Sequence, residues 1–210
     1  MDRYQANIAG CVSIVGWFGR VNGEIHDLYF NLIKKTNTLD PHTKITGNMI
    51  EDLQRADPFE ISKEVVLKVI TNKRLLSHGD HDLRQLGITA HETSLLNIEF
   101  VDTSRLYNTG TDNNPIALAK LSDFFDLKFW DRSESRSLVQ GHSSERDARA
   151  TLKCYQRTIK LLNKYGRIPM KREIKDYIQN GKTWLDWEKN ILHPTILQTP
   201  VINEGYHDLS

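Results

Sequence analysis

Strand-like and helix-like patterns alternate along this chain, and that order is what most limits its fold. Cys11 to Phe18 (CVSIVGWF) is apolar and β-branched, a composition that suits a pleated, half-buried strand. Gly19 to Gly23 (GRVNG) follows, and its Asn22-Gly23 pair carries the chemistry of a tight hairpin turn. Ile25 to Leu32 (IHDLYFNL) then alternates roughly, so the two runs are expected to form an antiparallel hairpin. Phe59 to Ile70 has apolar residues at helical spacing, with Ile61, Val65 and Val69 flanked by Val66 and Ile70. Arg74 to His78 and Ile98 to Asp102 read as short strands, with Asp80 to Leu86 as a helical turn or short helix. Pro115 to Phe125 reads as a helix with Pro115 in its first turn, where a missing N–H is harmless.

The longest helical pattern runs from Ser144 to Tyr165. Ala148, Leu152, Tyr155, Ile159 and Leu162 form its apolar stripe. Ser144 and Asp147 have capping-box spacing, and Gly166 supplies a stop. Residues 131 to 141 are polar and read as a loop. Pro169 to Leu192 predicts one or two more helices carrying Trp184 and Trp187, and Gln198 to Ser210 reads as a loose tail. A hairpin followed by helix, strand, helix, strand, helix and long helix argues an α/β domain with a mixed sheet. The domain is expected over residues 8–165, with a helical extension and tail over 166–210.

Bulk properties remove several classes. Basic residues number 28 against 27 acidic, so no strong field advertises a nucleic-acid coating protein. A nuclease needs no such field. The two cysteines, Cys11 and Cys154, make neither a disulfide framework nor a zinc ribbon. No apolar run has the length of a membrane span, and the first residues (MDRYQ) lack a signal-peptide core. The expectation is an intracellular protein without a membrane partner, its nuclear or cytoplasmic site unassigned.

Three local patterns carry chemistry. His78-Gly79-Asp80-His81-Asp82-Leu83 follows a strand, Asp102-Thr103-Ser104 ends the next, and His142 to Thr151 (HSSERDARAT) opens the long helix. Each has a plainer reading. Asp147 alone fits the third residue of a capping box, and His142 alone fits a surface loop. Asp102 suits a turn cap. The HGDHD run resembles the Asp-His pair of metallo-β-lactamase-type hydrolases, but Leu76 stands where an upstream histidine is required. Lys160, Lys164, Arg167, Lys171, Arg172 and Lys175 are mixed with apolar residues and read as a solvated helix face.

Taken together and in order, the patterns resemble the DEDDh 3′–5′ exonucleases, in particular the branch of interferon-induced and ribosomal-RNA-trimming enzymes. His142, Ser144, Asp147, Ala148, Ala150 and Thr151 match that family's last motif. Asp82-Leu83 is similar to its second, Val12-Ser13-Ile14-Val15 to its second strand, and Thr46-Gly47-Asn48 to the turn before its first helix. The resemblance spans roughly residues 11–162 and implies a ribonuclease-H-like fold. It also implies 3′–5′ exonucleolytic hydrolysis of single-stranded nucleic acid, RNA by the branch. Two Mg²⁺ or Mn²⁺ ions held by carboxylates drive that reaction, one activating water and the other stabilising the leaving oxygen. Asp82 and Asp147 would be metal ligands and His142 the general base. The first family motif, Asp-x-Glu, has no counterpart: Met1-Asp2-Arg3-Tyr4 puts Tyr4 where Glu belongs. Weak metal binding and low activity are therefore expected of this chain. The alternative is a pseudo-exonuclease that binds RNA or a protein. The central strand carrying that motif would leave a gap unless residues 3–8 (RYQANI) or a second chain fill it.

Overall fold

The computed structural model describes residues 11–17, 25–33, 49–79, 81–108, 114–127 and 144–192. Its first elements are the expected hairpin. β1 (Cys11–Trp17) pairs antiparallel with β2 (Ile25–Leu32), in a register running from Cys11 opposite Leu32 to Trp17 opposite Ile25. An irregularity between Ile14 and Val15 kinks the pair. The Gly19–Gly23 turn and the Thr46-Gly47-Asn48 turn lie outside the described residues.

Two helices follow, α1 (Ile50–Arg55) and α2 (Phe59–Ile70), the second with the bounds its periodicity gives. β3 (Arg74–Ser77) and β4 (Glu99–Asp102) run parallel, with Arg74 opposite Glu99 and Ser77 opposite Asp102. Parallel strands need a crossover, and the short helices α3 (His81–Gln85) and α4 (Ala90–Leu95) lie within it. Both strands are entered through the same device. Asn72 and Asn97 take left-handed φ angles of 56° and 50°, a conformation asparagine tolerates better than most residues. The two turns are bonded together, with Asn97 Nδ2 donating to Asn72 Oδ1 at 3.3 Å and the Asn72 N–H to the Leu96 carbonyl at 2.9 Å.

After a 3₁₀ turn at Thr103–Arg105 comes α5 (Leu118–Phe124). It starts later than the sequence reading, and Pro115 stands outside it. The reason is competition for the backbone. The Ile116 carbonyl accepts from the His78 ring at 2.7 Å and the Asn114 carbonyl from the Lys171 ammonium, which holds the lead-in extended.

The longest helix, α6 (Ser144–Tyr165), keeps its expected bounds, and Gly166 ends it at φ 67°. Its buried face differs from the apolar stripe. Ala150, Thr151, Cys154, Thr158 and Leu161 are buried alongside Leu152, whereas Leu162 is 44% exposed. Two threonines can sit inside because hydroxyls bond locally. Thr158 Oγ1 donates to the Cys154 carbonyl at 2.7 Å and meets the buried Tyr107 hydroxyl. The two further helices are α7 (Lys171–Gln179) and α8 (Trp184–Leu192).

The buried side chains form two clusters. One joins the hairpin to α2 and the crossover through Val12, Ile33, Val66, Ile70, Leu86 and Ile98. The other joins α5, α6, α7 and α8 through Tyr107, Phe124, Cys154, Leu161, Ile174 and Trp187. The helices after Gly166 thus share a core with residues before it. The architecture is mixed α/β. Among the described residues β1 pairs only with β2, and β3 only with β4, giving one antiparallel and one parallel pair. An open cleft of about 800 Å³ lies along both β1 and β3, with α2 and α6 also contributing walls.

Candidate functional site

The cleft has a polar end at the carboxyl end of β3, where ligands of open α/β sheets commonly sit. Ser77 closes β3, and Gly79 turns the chain at φ 104°, a conformation that suits glycine. α3 then begins with Asp82 in its first turn. Ser77 Oγ lies 2.6 Å from Asp82 Oδ2 and 2.7 Å from the Gly79 carbonyl oxygen. Its one proton is better used on the carboxylate, because charge-assisted bonds are stronger.

Asp147 reaches the cleft from a sequence position far from Asp82. It lies in the first turn of α6, half-buried, with its Oδ1 withdrawn from solvent. Ser144 Oγ and Ser13 Oγ lie 2.6 Å apart, pinning the start of α6 to β1. Asp82, Asp147, Ser13, Ser77, His78 and Tyr155 all line the one cleft. Two of the three residues singled out from the sequence are therefore brought together. The third, His142, lies outside the described residues, as do Asp80 and the side chain of His81.

Asp102 has the structural part given to it. Its Oδ1 accepts from the Gly79 N–H at 2.9 Å, the Ser104 N–H at 2.9 Å and the Ser104 hydroxyl at 2.6 Å. Its Oδ2 pairs with Arg105 Nε at 3.0 Å. A carboxylate so engaged is a clasp between the ends of β3 and β4.

His78 was passed over as a site residue. Its Nδ1 lies 3.0 Å from Thr103 Oγ1, and its Nε2 donates to the Ile116 carbonyl at 2.7 Å. Burial pulls its pKa below the ordinary value, while the Ile116 carbonyl and the carboxylates of Asp102, Asp82 and Asp147 pull it upward. A His directly after a strand was the available signal. Cys154 offers no nucleophile, since burial pushes its thiol up to about 12.

A metal is implied by the family resemblance, so the donor set matters. Two carboxylates facing one cleft suit a hard divalent cation. Among the described residues no group of three or more His, Cys, Asp or Glu is gathered as a ligand set. Among those residues, too, no helix is long and apolar enough to cross a membrane.

The class that fold and site define is thus a mixed α/β domain with two carboxylates in a cleft beside the carboxyl end of β3. The chain matches no protein-family model and no curated protein.

Proposed function

We propose that this cleft is the site of a DEDDh-type 3′–5′ exonuclease, of ribonuclease-H-like fold, acting on single-stranded RNA with low turnover in the 210-residue chain. One observation carries the reading. Asp82 and Asp147, matched to separate family motifs, line one cleft beside the carboxyl end of β3. In this reading the two carboxylates hold a Mg²⁺ or Mn²⁺ ion, which when bound polarises a phosphodiester oxygen. Ser77 orients Asp82 by its hydroxyl. Ser144 and Ser13 fix the helix start from which Asp147 projects. His142, five residues before Asp147, is the proposed acceptor of the attacking water's proton.

The test is a Mn²⁺ titration joined to a cleavage assay on a single-stranded RNA carrying a 3′ label. One weak Mn²⁺ and slow, metal-dependent release of the 3′ nucleotide are the expected results. RNA binding with no release, unchanged by Asp147→Asn, would favour the pseudo-exonuclease instead. Two tight Mn²⁺ ions per chain would contradict the ligand count.

A further inference from the structure

Around His78 one hydroxyl proton faces two acceptors. The Ile116 carbonyl can only accept, so His78 Nε2 carries a hydrogen. The Thr103 hydroxyl has one proton and two places to send it. One is the Ser77 carbonyl, 2.9 Å away, and the other is His78 Nδ1, 3.0 Å away. When the ring is neutral, Nδ1 is an acceptor and competes with Ser77 for that proton. When the ring is protonated, Nδ1 becomes a donor to Thr103 Oγ1, and Thr103 is free to hold Ser77. Thr103 is 1% exposed, so no bulk water replaces the bond that is not made.

Ser77 is also the residue whose hydroxyl holds Asp82. We propose that His78 is a positioning residue for Asp82, acting through Thr103 and Ser77, with the Thr103 hydroxyl as the moving part. The carbonyl bond fixes the Ser77 backbone, and that backbone sets where the Ser77 hydroxyl points. The ring meets charge from three elements. Asp102 lies at the end of β4, Asp82 on α3 and Asp147 on α6, and all three favour the protonated ring. The part played by Asp82 as a metal ligand rests on the proposed function, whereas the bond relay does not.

Nuclear magnetic resonance on the 210-residue protein reads the relay directly. The ring nitrogens of His78 and the carbonyl carbon of Ser77 are followed as pH is lowered. The Ser77 signal is expected to move with the midpoint of the ring and to stop doing so in Thr103→Val, which keeps the shape and removes the hydroxyl. A Ser77 signal that ignores the ring, or that follows it equally in Thr103→Val, would overturn the relay. A Mn²⁺ titration reads the effect on the site. Thr103→Val, checked for native circular dichroism, should bind Mn²⁺ about tenfold more weakly, as loss of a supporting partner usually does. Unchanged Mn²⁺ affinity in the folded variant would overturn the positioning of Asp82. Wild-type protein that binds no Mn²⁺ would instead defeat the metal reading, leaving the Ser77 signal to decide the relay.

Discussion

Asp147 stands where two readings give different outcomes. As a capping residue it could be replaced by Asn with little effect, because Asn is itself a fair helix-start residue. As a metal ligand it could not. Asp147→Asn is expected to leave the thermal midpoint nearly unchanged and to lower any RNA-trimming rate about 10²-fold or more. His142→Ala should cost a similar factor as loss of a general base. Normal rates in both variants would remove this motif from the chemistry. A residue far from the cleft makes a cleaner stability test. Trp187 is 1% exposed, meets Tyr165 edge-on at 6.2 Å and lies under the Arg167 guanidinium. Trp187→Ala should cost about 3–5 kcal/mol, read from urea unfolding. At this scale the sequence was legible at Asp102, whose turn-capping reading matches its bonds to the Ser104 N–H and hydroxyl. It did not reveal the bonds of His78, because its partners Thr103 and Ile116 lie 25 and 38 residues away.

Elements were legible where periodicity is strong. α2 and α6 have the bounds read from their patterns. The buried face of α6 was not, because hydropathy counts Thr151 and Thr158 as polar while the fold gives Thr158 local hydrogen-bond partners. α4 went unread because AHETSL has no apolar period. Its signal was the cap, where the Thr89 hydroxyl accepts from the Glu92 N–H at 3.1 Å and the Glu92 carboxylate accepts from the Thr89 N–H at 2.8 Å. The Thr89 backbone bond first, then Lys63 and the Thr89 hydroxyl, hold Glu92 down at about 2. A depressed carboxylate adds stability above its unfolded pKa of about 4.3 and loses it as pH falls toward the folded value. Glu92→Gln should therefore unfold at lower urea than the parent at pH 7, and the two midpoints should converge near pH 2. A gap that persists unchanged in acid would show that the charge of Glu92 plays no part.

Over the whole molecule, the strand–helix order pointed to the α/β class and the turn signal to the β1–β2 hairpin, but neither said how the remaining strands meet. Pairing depends on edges and crossovers that no single stretch encodes. The separation of β1–β2 from β3–β4 is the feature with the widest reach. Among the described residues no further strand pairs with these edges, whose backbone donors and acceptors suit another strand. Unless residues 3–8, which lie outside the described residues, fill that place, the chain is expected to self-associate as concentration rises, and sedimentation that stays monomeric throughout would refute an open edge. If the chain trims RNA as proposed, the rate should fall well below about 1 s⁻¹, the low end of ordinary enzymes. Asp82 rides with the parallel pair through Ser77, while Asp147 rides on a helix fastened to the antiparallel pair through Ser13. Among the described residues the two carboxylates are thus related by packing between two strand pairs, with no ladder joining them. A cation gripped by both would act as a rivet between plates, drawing on its affinity to hold them in one alignment.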